Sequence, residues 1–144
     1  PNNYIHDMRK KGLYFFNVPI YDREIAILVG LSNAEALAEA KKQKCTRDFI
    51  ACFDDEELKD LINRTHDDKE ATEAAVRRLD MRTFLILRQP KNTWFFWDTL
   101  NHETFHISQF LSHQLCMWDD IEPPAYLHSW LFKHLRKFLF ASKK

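Results

Sequence analysis

Trp97 to Leu111 runs without a glycine or a proline, and inside it stands His102-Glu103-Thr104-Phe105-His106, the spacing H-E-x-x-H. A stretch of that kind commits the chain to a helix. Leu100, Thr104, Ile107 and Leu111 fall on one row that faces a core, while Phe105 and Phe110 cover other sides. A helix apolar on most of its faces is a buried, central one. Residues four apart lie one above the other, so His102 and His106 can turn toward one metal ion. Glu103 stands about 100° further round, placed to hold a water at the metal rather than the metal itself. The plainer alternative is a core helix whose histidines are satisfied by hydrogen bonds. Two imidazoles and a carboxylate in so apolar a helix are costly unless something pairs with them, which favours the metal.

Two imidazoles with one oxygen ligand and an open fourth position make up a catalytic zinc site. A third ligand is therefore required. His113 shares the stripe of His102, His106 and Gln109, but it lies about 10 Å beyond His106 on a straight helix. The pattern that breaks the helix at a glycine three residues after the second histidine, with a third histidine three further on, finds Gln109 and Ser112 at those places. Glu122 is the better candidate. Asp119-Asp120 and Pro123-Pro124 mark a turn and the first turn of a further helix, expected over about Pro123 to Phe140. The segment between is long enough to reverse direction and return Glu122 to the motif helix. As an acid at a helix start, Glu122 is otherwise explained as a simple cap.

His102-Glu103-x-x-His106, followed by Glu122 in the run E-P-P-A-Y-L, resembles the small gluzincin-type zincins, whose third ligand is a glutamate on the following helix in the pattern E-x-x-A-Y. An apolar strand ahead of the motif helix also resembles short peptidases encoded in phage and prophage genomes. The resemblance covers mainly Thr83 to Phe140, and the Pro123-Pro124 pair is not part of the family pattern. It implies zinc held by His102, His106 and Glu122, with Glu103 as general base, and a peptide or protein as substrate. It also implies that Phe84 to Arg88 is a free strand edge that pairs with extended substrate. The alternative for that segment is an ordinary core strand.

The remainder of the chain is consistent with one domain spanning residues 1–144, with hydrophobic residues at 45% and aromatics at 14%. Lys+Arg 21 against Asp+Glu 21 leaves no net charge, so a nucleic-acid partner is not expected. No signal-peptide pattern and no membrane-length apolar run is visible. Cys45, Cys52 and Cys116 form no C-x-x-C pair, and an odd count suggests reduced thiols. The expectation is a cytoplasmic, non-secreted protein with no membrane contact, in a bacterial or phage-infected cell by the resemblance. The chain begins at Pro1, without a methionine.

Leu13 to Tyr21 reads as a strand and Glu24 to Val29 as its continuation or hairpin partner, ended by Gly30. Ser32-Asn33-Ala34-Glu35 opens a helix to about Lys44 with a capping box. Asp48 to Phe53 reads as a short strand, and Asp54-Asp55-Glu56-Glu57 as the start of a polar helix to about Leu79, broken near Thr65-His66. Thr83 to Arg88 reads as the strand before the motif helix. The fold class is α+β and zincin-like: a small mixed sheet packed on the H-E-x-x-H helix, with further helices around it.

In the expected reaction Glu103 moves a proton from water to the leaving amine. A further donor normally steadies the oxyanion, and Tyr126 or His128 is a candidate, although an aromatic on an amphipathic helix is more often core. His113 and His134 read as surface or supporting residues. Two other classes stay open. One is a non-catalytic zincin-like module that meets a protein partner through Trp94-Phe95-Phe96-Trp97 and Trp130-Leu131-Phe132. The other is a metal-dependent nuclease using the tail His134 to Lys137 and Lys143-Lys144, whose cations are more simply explained by a helix C-terminus.

Overall fold

The computed structural model describes residues 8–19, 23–67, 69, 72–89, 93–114 and 122–140, with side chains for all of these except 93–95 and 122–124. They group into two compact units, Lys10–Gln89 and Pro90–Lys144 together with Pro1–Arg9.

The first unit is a four-stranded mixed sheet with helices. Strands β1 (Gly12–Val18) and β2 (Arg23–Val29) pair antiparallel, so Glu24 to Val29 is a hairpin partner and not a continuation. Strands β3 (Ala74–Leu79) and β4 (Arg82–Leu87) form a second antiparallel pair, and β4 lies parallel to β2, giving the order β1-β2-β4-β3. The two inner strands read Arg-Glu-Ile-Ala-Ile-Leu-Val and Arg-Thr-Phe-Leu-Ile-Leu, nearly unbroken apolar runs, and both are buried on both faces. The free-edge expectation for Phe84 to Arg88 is therefore corrected: β4 is paired on both sides, and the edges are β1 and β3.

Helices α1 (Asn33–Lys42), α2 (Arg47–Ala51) and α3 (Glu56–His66) separate the two hairpins, with a 3-10 turn at Cys52–Asp54. Ser32 caps α1 through the expected box: its hydroxyl accepts from the Glu35 amide, and its own amide donates to Glu35 Oε1. The α1 terminus closes in a Schellman pattern, Cys45 N to Ala40 O and Lys44 N to Lys41 O, with Lys44 at φ 58°.

Two sequence expectations fail here. Asp48 to Phe53 is helical, because Thr46 caps the Phe49 amide and a helical turn sends Phe49 and Phe53 together into the core. There Phe49 stacks on Phe84 and meets Phe15 and Phe53 edge-on. The polar helix ends at His66, at the expected break near Thr65-His66, but residues 74–79 do not continue it to Leu79. Arg88 closes it, donating to the carbonyls of Thr65, Arg64 and Asp67. Residues 74–79 then form an edge strand, where pairing with β4 overrides their helix propensity. From β3, Arg77 reaches Asp55, the cap of α3, with two bonds, and Glu57 with a third. Among the described residues Cys45 and Cys52 are free thiols, and Cys116 lies outside them.

The second unit is a helical hairpin of α4 (Thr93–Gln114) and α5 (Glu122–Leu139). Its core is the row foreseen from spacing, Leu100, Thr104, Ile107 and Leu111, together with Leu127, Leu131, Leu135 and Leu139. Asn101 meets His128, and Trp97 meets both Arg136 and Phe140, so the helices run antiparallel. Arg9 ties the N-terminal segment to the end of α5, its amide donating to Leu139 O and its Nε to Phe138 O. Among the described residues no helix is long and apolar enough to cross a membrane.

Candidate metal centre

α4 positions the motif by its regular turn. His102 is exposed and His106 half-buried on one stripe, and their Nε2 atoms stand 3.2 Å apart. Without a metal that separation is a hydrogen bond between two imidazoles, one donating and the other accepting. It also matches a shared metal: two nitrogens on a tetrahedral zinc at about 2.0–2.1 Å are about 3.3–3.4 Å apart. The rings meet nearly edge to face, at an interplanar angle of 78°.

Glu103 points inward and is only 7% exposed. Its Oε2 has no hydrogen-bond partner among the described residues. Burial pushes its carboxyl above the usual range, against the pull of His102 and His106. Donor atoms of His102, Glu103 and His106 all lie within 4.8 Å of one another, so the three could hold a metal ion. The unpartnered buried oxygen and the matching nitrogen spacing are the two observations by which these residues fit zinc.

The other foreseen residues fall at different distances from this cluster. The backbone of Glu122 opens α5, and its side chain lies outside the described ones. From the pairing of His128 with Asn101, six residues back along an antiparallel helix is about 9 Å, which carries residue 122 past the level of His106. Tyr126 is 71% exposed and is not drawn into the hairpin core. His128 donates from Nε2 to Asn101 Oδ1 at 3.1 Å and lies edge-on to Phe105, whose ring neighbours His106. His113 is exposed, and His134 packs on Trp130. Of the first aromatic patch, Phe96 is buried, and Phe96, Trp97 and Phe140 pack mutually on one another; the side chains of Trp94 and Phe95 lie outside the described ones.

Sequence spacing missed Asn101 as the group that holds His128, and the edge-on contact of His128 with Phe105, a motif residue that is 48% exposed. Asn101 and Phe105 both sit one residue ahead of a motif histidine, so the heptad-like face they share with α5 was the available signal. Comparisons with family models, with curated proteins and with solved structures found no match.

Proposed function

We propose that this chain is a zinc-dependent peptidase in which His102, His106 and Glu122 would hold the metal and Glu103 is the general base. The observation that carries the reading is the pairing of the 3.2 Å imidazole contact with a buried Glu103 Oε2 that has no partner among the described residues, on the same helix. Bound zinc supplies Lewis acidity, acidifying water and polarising a carbonyl. Glu103 takes a proton from the attacking water and returns it to the amide nitrogen, so the C–N bond breaks to an acid and an amine. A carboxyl pushed up by burial is a stronger base than an exposed one, which suits that exchange. Tyr126 is the proposed oxyanion donor, since its own exposure leaves the side chain accessible to substrate. A peptide is the preferred substrate by the likeness of the motif pair to gluzincins, and a cytoplasmic setting goes with that likeness.

The test is the metal content of purified wild type beside His106→Ala, Glu122→Ala and Glu103→Gln. About one zinc per chain is expected in wild type and Glu103→Gln, with loss in the other two. Glu103→Gln should keep the metal and lose about 10²–10⁴-fold in peptide hydrolysis. A chain that takes up no zinc when it is supplied refutes the proposal. The crowding of the three donor atoms within 4.8 Å favours one second reading, a metal held by His102, Glu103 and His106 with no catalytic role. In that case Glu103→Gln loses the metal together with the histidine variant.

A further inference from the structure

One end of the helical hairpin carries a chemistry that the metal centre does not use. Trp97, Lys133, Arg136, Lys137 and Phe140 line a groove of about 390 Å³. Lys133, Arg136 and Lys137 stand three and four residues apart on α5, hence on one face. The Arg136 guanidinium lies over the Trp97 ring at 4.7 Å and near Phe132 at 5.4 Å, and Trp97 packs on Phe140 with ring centroids 5.0 Å apart. Among the described residues no carboxylate pairs with these three cations. A helix dipole accounts for cations in a last turn. It does not account for Lys133, which lies before the last turn, or for an arginine laid across a tryptophan of the neighbouring helix. Unpaired cations above an aromatic floor complement an anion that also carries apolar surface.

The groove shares α4 with the motif: Trp97 stands five residues before His102, about 7.5 Å of helix rise and about 140° round the axis. Resting on the peptidase reading, we propose that this groove holds an acidic segment of the peptide substrate, so that the chain selects peptides with Asp or Glu, flanked by an apolar residue, a few positions from the cut bond. A nucleic acid is the poorer match, because 21 cations balance 21 anions and this cluster is confined to one end of the hairpin.

The experiment is fluorescence anisotropy on the full zinc-loaded Glu103→Gln chain, which leaves peptide uncut. The probes are a labelled Glu/Phe peptide, the same peptide with every Glu replaced by Gln, and a dT oligonucleotide as competitor. The acidic peptide should bind at least about tenfold tighter than the Gln form and lose at least about tenfold at high salt. The same loss is expected in Lys133→Glu/Lys137→Glu and, to a smaller extent, in Lys133→Ala/Lys137→Ala. Equal binding of the two peptides, or unchanged binding in both double variants, would overturn the assignment. So would displacement of the peptide by dT at lower concentrations than unlabelled peptide requires. Wild type that cuts both peptides at equal rates removes the groove and leaves the peptidase. Wild type that binds the acidic peptide through these lysines and cuts nothing removes the peptidase, and with it the substrate assignment.

Discussion

Glu103 concentrates the conflict between stability and chemistry. A buried carboxylate oxygen without a partner costs the folded chain its lost hydration, and the same isolation makes it a stronger base. Replacing it with glutamine removes the charge while keeping the shape. Glu103→Gln should therefore stabilise the metal-stripped protein by about 1 kcal/mol, read from urea midpoints at neutral pH, even as hydrolysis is lost. An unchanged or lowered midpoint would mean that the carboxylate is satisfied in solution. His102 and His106 were legible from spacing alone, because a helix forces residues four apart onto one stripe. The burial of Glu103 was not, since it depends on tertiary packing around α4 and not on spacing along it.

Among the elements, α1 carries the clearest local design. Its first turn is held by Ser32 and Glu35, and hydrogen bonds from Lys11 and Ser32 pull the Glu35 carboxyl from 4.5 down to about 2. A carboxyl lowered in the folded state contributes stability that is present above its unfolded value and lost as pH falls through the folded one. The stability gap between wild type and Glu35→Gln should accordingly be full at pH 7, shrink below about 4.5 and vanish near 2, as followed by thermal melts across that range. At the other end of α1, Lys44 occupies a left-handed conformation that favours glycine. Lys44→Gly should raise stability by about 1 kcal/mol in denaturant titration, and a loss would show that the lysine side chain contributes more than its backbone strain costs. The capping box was readable in Ser32 to Glu35. The helical turns over Asp48 to Phe53 were not, because Ile50 and two phenylalanines in so short a run suit a strand as well, and only the joint burial of Phe49 and Phe53 decides.

Over the whole molecule, metal binding and folding should be linked. A metal that binds only the native chain adds about 2.7 kcal/mol when present at a hundred times its Kd. Zinc is thus expected to raise the melting temperature of wild type by several degrees, a chelator to reverse the rise, and His106→Ala to abolish it. A melting temperature indifferent to zinc would leave the two histidines as a hydrogen-bonded pair. The sequence by itself determined the parts that follow from repeat and local chemistry: the α+β class, the motif helix and its core row, the return helix α5, the two strand segments that become β1 and β2, and the α1 cap. Each is set by a period of 3.6 or 2 residues, or by side chains within one turn of each other. The tertiary structure decided what depends on distant partners. It made β4 an inner strand between β2 and β3, turned residues 74–79 from helix to edge strand, and laid Arg136 across Trp97. Strand order and cross-helix contacts join residues far apart in sequence, and their energy depends on burial that no local window contains.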